Sequence, residues 1–188
     1  MKEDALLIAE VRNGNSEAYG EIVRKYQARL FNTLHHVMGN REEAEDIGQD
    51  AFVQAFVKLD TYQGKSAFYT WLYRIAFNLS VSYRRRKKNE ASIDQMRETS
   101  GTEPVSEVAE PDEGLLRDEQ VQQVRAALDE LAEEHRAILV LRELEGCCYD
   151  TIADILELAP GTVRSRLHRA RLQLKEKLHQ MLHEQPAE

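Results

Sequence analysis

Residues 148–172 read CYDTIADILELAPGTVRSRLHRARL, and a Pro-Gly pair divides them into a short segment and a longer basic one. In the short segment Ile152, Ala153 and Leu156 have the spacing of one helical face. In the longer segment the apolar residues recur every three or four positions, at Val163, Leu167, Ala170 and Leu174. Two amphipathic helices joined by a tight turn predict a helix-turn-helix.

The outward face of the second helix is basic and polar. It holds Arg164, Ser165, His168 and Arg171, with Arg166 and Arg169 on its flanks. In a helix-turn-helix the second helix lies in the major groove, where arginine reads guanine by a bidentate contact. The simpler explanation is that this is the solvated face of an amphipathic helix and contacts no DNA. The preceding helix and the Pro-Gly break at this spacing favour DNA reading over that simpler explanation.

The rest of the chain shows the same helical periodicity, because apolar residues recur at spacings of three and four and never alternate over a sustained run. The sequence therefore predicts an all-α protein with two small helical domains, residues 1–89 and 120–188. Between them, residues 90–119 hold ten acidic side chains against Arg97 and Arg117, which accounts for the net charge of -8. This acidic stretch, with two prolines and few large apolar residues, predicts a flexible linker.

Three helices are predicted in the first domain before its aromatic segment. A short helix ends at Gly14, and Asn15 is placed to cap a long helix that stops at Gly39. Asn40, followed by Glu43, resembles a capping box at the start of the next helix. The apolar stripe of that helix is predicted to be Ala44, Ile47, Ala51, Phe52, Ala55, Phe56 and Leu59.

Several classes of protein are excluded by composition. No apolar run approaches the roughly 18 residues of a membrane span, and the N-terminus is too charged for a secretory signal. The two cysteines, Cys147 and Cys148, are adjacent, so they offer neither a disulfide framework nor zinc-ligand spacing. A reduced, cytoplasmic location follows. No nucleophile-base pair, phosphate loop or metal motif appears, so no enzyme activity, cofactor or metal is predicted.

Seven of the thirteen aromatic residues lie between Tyr62 and Tyr83, immediately before the cationic run RRRKK at 84–88. Tyr69, Tyr73 and Tyr83 fall off the helical stripe and are expected to be exposed. Exposed rings beside a cationic track suit single-stranded or melted DNA, since unpaired bases stack on them. The alternative is that most of the rings simply pack in a core. The rings assigned to packing are Phe68, Trp71 and Phe77.

Four stretches together resemble the extracytoplasmic-function (ECF) group of bacterial sigma factors, the promoter-recognition subunits of RNA polymerase. They are AEDIGQDAFVQAF at 44–56, YQGKSAFYTWLYRIAFN at 62–78, LRELEGCCYDTIADIL at 141–156 and GTVRSRLHRARLQL at 161–174. The resemblance implies that the first domain melts and reads the minus-ten element and that the second reads the minus-thirty-five element. The partners that it implies are RNA polymerase core, promoter DNA and a cognate anti-sigma factor. That anti-sigma factor is expected to be either soluble or anchored in the membrane. The resemblance also places the linker in the channels of the polymerase.

The resemblance also assigns site residues. A polar face of the third helix would dock on the largest polymerase subunit, although spacing alone makes it an ordinary solvated face. Its residues are Asp46, Gln49 and Asp50. The loop DTYQGKS with Tyr69 would hold a flipped promoter base. The expected minus-ten contacts are Tyr62, Lys65, Ser66, Tyr69, Arg74, Arg84 and Arg85. The expected minus-thirty-five contacts are Thr162, Arg164, Ser165, His168, Arg169 and Arg171.

Other functions stay open at this stage. A free-standing helix-turn-helix regulator would share the C-terminal motif without needing the aromatic helix or the docking face. A helical adaptor would not need the basic face of the last helix. A redox role for Cys147 and Cys148 competes with their being small buried hydrophobes. His179 and His183, four residues apart, could chelate a metal or simply favour the C-terminal end of a helix dipole.

Overall fold

In the computed structural model the backbone is described for residues 3–94 and 115–183, and side chains for 3–87 and 121–183. Every regular element in these ranges is helical, which confirms the all-α prediction. The first domain contains α1 (Asp4–Arg12), α2 (Ser16–Met38), α3 (Arg41–Val57), a 3-10 turn (Leu59–Thr61) and α4 (Phe68–Asp94). The second contains α5 (Leu115–Asp129), α6 (Glu133–Leu139), a π-helical segment (Val140–Leu144), α7 (Tyr149–Leu156) and α8 (Pro160–His183).

Two predicted caps fix the starts of the long helices. The side chain of Asn15 accepts a hydrogen bond from the backbone N–H of Glu17 at 3.2 Å, and that of Asn40 accepts from Glu43 at 3.0 Å. Gly39 ends α2 in the left-handed conformation, with φ of 72°. Gly39, Asn40 and Glu43 therefore set the turn between α2 and α3, as the sequence predicts.

The core of the first domain lies between α2, α3 and α4. Its fully buried side chains include Ile22, Leu30, Leu34, Ala51, Phe68 and Leu72. The prediction that Phe56 is buried is wrong, since this residue is 46% exposed. It follows Ala55, which faces the core, so a rotation of about 100° per residue turns Phe56 outward. The ring of Tyr19 packs edge-on against it, at 4.9 Å between centroids.

The prediction that Tyr69 and Tyr73 are exposed is also wrong, because both are buried, while Tyr83 is half-buried. Phe68, Trp71 and Phe77 pack in the core as expected. Both buried tyrosines point toward α2 and the second domain. The Tyr73 hydroxyl lies 2.6 Å from Oγ1 of Thr33, and the Tyr69 hydroxyl donates to Glu145 of the second domain. Polar partners thus make the burial of these rings possible.

The second domain is built around the packing of α8 on α6 and α7. On α8 the predicted inward residues Val163, Leu167 and Ala170 are buried, and Leu174 is half-buried. On α7, Ile152 and Ala153 are buried as predicted, and Leu156 is half-buried against the core. Ile155 is a further buried residue of this helix. The turn between α5 and α6 is held by the buried side chain of Arg136, which donates to Oδ1 of Asp129 at 2.8 Å.

Both ends of the predicted linker, residues 90–94 and 115–119, belong to helices, since α4 continues to Asp94 and α5 begins at Leu115. Residues 95–114 lie outside the described residues. The two domains pack against each other, with α4 against α7 and α2 against α6 and the π-helical segment.

The helix crossing of α2 and α3 generates a stability prediction at Gly48. A Cβ added there would lie 2.2 Å from Cε1 of Phe31, so Gly48→Ala should displace that ring and cost about 1–3 kcal/mol. Gly20→Ala, also within a helix, is the control, since its Cβ would approach only the guanidinium of Arg24, at 3.6 Å. That change should stabilise by up to about 1 kcal/mol. Urea unfolding measures both, and equal effects would contradict the prediction.

Candidate nucleic-acid interface

The outward face of α8 presents an open group of polar and cationic side chains. Arg164, Ser165, His168 and Arg169 are exposed, and Thr162 is half-buried. Two neighbouring arginines are held by ion pairs, Arg166 to Glu134 at 3.0 Å and Arg171 to Glu143 at 2.6 Å. Of the predicted minus-thirty-five residues, Arg171 is thus already paired inside the domain, whereas the start of α8 faces solvent.

The turn before α8 has the geometry that the Pro-Gly break predicts. Glu157 adopts the left-handed conformation, with φ of 53°, and ends α7. Leu158 then donates its backbone N–H to the carbonyl of Ala153 at 2.9 Å. Pro160 is the first residue of α8, where its missing N–H costs nothing. This arrangement confirms the helix-turn-helix.

The loop at 60–66 encloses a second polar site, a cavity of about 360 Å³. It is lined by Thr61, Tyr62, Gln63, Lys65, Ser66, Thr70, Trp71 and Arg74, together with Asp154 of α7. The Tyr62 hydroxyl donates to the carbonyl of Ser66 at 2.6 Å and closes the loop on itself. Four predicted minus-ten residues, Tyr62, Lys65, Ser66 and Arg74, therefore lie together.

Sequence reasoning missed Arg12, which anchors this loop from α1. Its guanidinium donates to the backbone carbonyls of Leu59 at 2.7 Å and Tyr62 at 2.6 Å. No local pattern identifies such a residue, because its partners lie about fifty positions further along the chain.

Tyr69 lies apart from the loop cavity. Its ring packs 3.9 Å from that of Tyr73 between centroids, and the guanidinium carbon of Arg29 sits 4.0 Å from its centroid. Burial, the neighbouring Tyr73 and the hydrogen bond to Glu145 raise the pKa of Tyr69 far above its ordinary value. The hydroxyl is therefore a fixed donor at every physiological pH.

The two predicted arginines at the start of the cationic run differ in environment. Arg84 donates to the carbonyls of Met38 at 2.6 Å and Val37 at 3.2 Å, and pairs with Glu133 at 3.4 Å. It thus caps the C-terminal end of α2, whose last carbonyls lack helical partners. Arg85 is exposed.

This difference predicts separate effects on stability. Arg84→Ala should lower the free energy of unfolding by about 1–2 kcal/mol, because charged hydrogen bonds to two carbonyls are lost. Arg85→Ala should change it by less than about 0.5 kcal/mol, as exposed substitutions usually do. Thermal and urea unfolding of both variants provide the measurement. An unchanged free energy of unfolding for Arg84→Ala would contradict the capping role and leave the Arg84 side chain available to another partner.

The polar face of α3 is open to solvent. Asp46, Gln49 and Asp50 are all exposed, while the adjacent Ile47 and Ala51 are buried. The structure therefore presents these three side chains together, as the spacing requires.

The cysteines and histidines show no assembled site among the described residues, where no group of three or more metal-ligating side chains occurs. Cys147 is buried, and burial raises the pKa of its thiol. Cys148 is exposed, contrary to the expectation that both are buried, and hydrogen bonds from Thr151 lower its pKa. Nε2 of His179 lies 3.2 Å from Nε2 of His183. The redox role of the cysteines and the metal site of the histidines stay alternatives that the sequence leaves open. Within the described ranges no helix has the length and apolar character needed to cross a bilayer.

Family models match both domains. The Sigma-70 region 2 model matches residues 22–90, and the Sigma-70, region 4 model matches residues 121–174. The chain is 34% identical to the RNA polymerase sigma-H factor of Pseudomonas aeruginosa, with 97% of each chain covered. It is 32% identical to the ECF RNA polymerase sigma factor SigW of Bacillus subtilis, covering 91% of this chain and 94% of that one. It is 33% identical to the ECF RNA polymerase sigma-E factor of Escherichia coli, covering 95% and 96%.

Two solved structures have the same fold. CnrH in complex with the cytosolic domain of CnrY superposes with a TM-score of 0.67 at 25% identity, covering 94% of this chain and 97% of that one. The sigma factor RpoE of Bartonella quintana, in complex with the anti-sigma factor NepR, gives 0.68 at 24% identity, covering 86% and 96%.

Proposed function

Because this chain belongs to the ECF RNA polymerase sigma factors, we propose how its two domains divide promoter recognition. The first domain docks on core polymerase and holds the melted minus-ten strand, and the second reads the minus-thirty-five element. An ECF sigma factor directs transcription initiation at specific promoters, and family membership favours this function over a free-standing helix-turn-helix regulator. One observation supports the proposal most: one chain carries both a polar loop cavity and a helix-turn-helix with an open cationic face.

In the first domain, the loop cavity takes a flipped base. Lys65 and Arg74 provide positive charge at its walls, and Tyr62 and Trp71 provide aromatic surface on which a base can stack. Their rings lie 5.3 Å apart between centroids, so the ring of Trp71 on α4 already packs against the loop through Tyr62 in the absence of DNA. Arg85 extends the cationic track along the exposed side of α4.

Three further properties are proposed from the family. The exposed face of Asp46, Gln49 and Asp50 on α3 docks on the polymerase. Sigma factors are non-enzymatic initiation factors, so the chain has no catalytic role and acts in the cytoplasm with polymerase. A cognate anti-sigma factor regulates it, as the RpoE–NepR complex illustrates for another member of the fold.

The docking face is tested by the double substitution Asp46→Ala, Gln49→Ala. Core binding should be lost while the fold is kept, because both side chains are exposed and substitutions of this kind cost within about 0.5 kcal/mol of stability. Glu176→Ala, Gln180→Ala is the matched control, since it removes an acid and an amide from exposed positions of α8. Titration against core polymerase in a pull-down gives the readout. Equal affinity of both variants would remove the docking assignment.

Base reading and phosphate binding on α8 are separated by two substitutions. Arg164→Ala should cost about 1–3 kcal/mol of promoter affinity and relax preference at one or two upstream positions, because the first turn of α8 reaches base edges. Arg171→Ala should weaken binding evenly, and less, since Arg171 must leave Glu143 to reach a phosphate. Its salt slope should fall by about one.

The measurement is competition binding of holoenzyme to a panel of minus-thirty-five mutants at several salt concentrations. A uniform loss for both variants would make Arg164 a purely electrostatic contact. Base reading would then be sought at Thr162, Ser165, His168 and Arg169.

A further inference from the structure

Two histidines at the end of α8 bring their ring nitrogens together. Nε2 of His179 lies 3.2 Å from Nε2 of His183, and the ring centroids are 4.1 Å apart. Residues four apart in a helix are neighbours on its surface, so the backbone of α8 places the two rings side by side. Both side chains are exposed, and the pair is therefore open to an ion from solvent.

The separation of the two nitrogens fits a shared metal ion. Zinc–nitrogen bonds are about 2.0–2.1 Å long, which puts two tetrahedral ligand nitrogens about 3.3–3.4 Å apart and two at a right angle about 2.8–3.0 Å apart. The distance of 3.2 Å between the Nε2 atoms lies between these values. Two histidines four apart on a helix also hold zinc in the His-Glu-x-x-His motif of metalloproteases. The pair thus has the spacing and the donor atoms of a bidentate metal ligand.

A hydrogen bond between the two rings is the alternative explanation of this contact. It requires one ring to donate its Nε2–H and the other to accept with a bare Nε2. Such a bond between exposed side chains replaces bonds to water and contributes little. A metal ion is bound by the lone pairs of both rings, and the second imidazole binds at high effective concentration once the first is bound. Chelation therefore gives the larger gain in free energy.

The surroundings of the pair favour a cation. Helix α8 ends at His183, and the last carbonyls of a helix are the negative end of its dipole. One turn before His179 the exposed cation of Lys175 is offset by the exposed acid of Glu176. Beside the pair runs a groove of about 530 Å³, whose lining includes His179 and the apolar side chains of Leu139, Leu174, Leu178 and Leu182. An apolar surface of this kind limits the access of water to a bound ion.

The number and type of ligands set the class of metal. Among the residues whose side chains are described, no third imidazole, thiol or carboxylate completes a cluster with the pair. Glu143, which also lines the groove, is held by Arg171 at 2.6 Å. Water then fills the remaining positions of a bound ion, as it does in open zinc sites. Imidazole nitrogen suits zinc, nickel and copper, whereas magnesium and calcium take oxygen ligands.

We infer that His179 and His183 form a binding site for one divalent transition-metal ion of the class of zinc, nickel and copper(II). The bound ion crosslinks the last turn of α8, because it contacts both rings only while that turn is helical. It thereby fixes Leu182 and the adjoining wall of the groove. The site lies about 22 Å along the helix axis from Arg164, so it is separate from the face proposed to read DNA.

The experiment measures metal binding by the full-length protein. Equilibrium dialysis against zinc chloride and, separately, nickel chloride is carried out under argon, which keeps the thiols reduced. The wild type should bind one ion per chain with micromolar affinity. His183→Gln should weaken binding about a hundredfold, because it leaves a single imidazole. Its fold should be kept, since the side chain is exposed. Magnesium chloride should give no binding.

Two further variants test the spacing and the other possible ligands. His183→Gln combined with Gln180→His keeps six histidines but turns the second ring about 100° around the helix from the first, so binding should stay weak. Cys147→Ala combined with Cys148→Ser removes both thiols and should bind zinc as the wild type does. Hydrogen exchange of the backbone amides is the second readout. Zinc should slow exchange in the last turn of wild-type α8 and not in that of His183→Gln.

Each outcome decides a separate step. A wild type that binds neither ion would overturn the site, and so would a relocated-histidine variant that binds as tightly as the wild type. Loss of binding in the cysteine variant would also overturn it, because the metal would then belong to the thiols. Zinc bound with no slower exchange in the last turn would overturn the fixing of the helix end.

Discussion

A carboxylate that leaves water needs hydrogen-bond donors, and Glu145 finds three of them on the other domain. This constraint determines how the halves of the chain meet. It places the end of the π-helical segment against α2, and it turns Tyr69 and Tyr73 inward as parts of a polar network. Without the carboxylate, the hydroxyls of Thr33 and Tyr69 would lose their acceptor, and a half-satisfied polar network is a poor interface.

The second domain carries opposite charges on its two helix-turn-helix helices. The acids of α7 and its C-cap, Asp154 and Glu157, face the first domain, whereas the cations of α8, such as Arg164 and Arg169, face solvent. The net charge of the chain hides this division. One domain can therefore satisfy a cationic neighbour in its own chain and still present a basic face to DNA, because the two faces belong to different helices.

Helical periodicity and capping chemistry are local, so the sequence was sufficient for the elements that depend on them. The caps at Asn15 and Asn40 and the buried stripe of α8 agree with the structure. The same periodicity failed at Tyr69 and Tyr73, because it identifies an apolar face but not a second polar surface that covers the rest. The partner of Tyr69 lies 76 positions away, and nothing near either residue indicates the pairing.

The packing of the two domains covers the proposed surfaces of the first domain unequally. Tyr69 is buried against Glu145, whereas Asp46, Gln49 and Asp50 on α3 stay exposed. The face proposed to dock on polymerase therefore needs no movement of the second domain to be reached. The main contacts between the domains lie on α2 and α4, and they leave this side of α3 open.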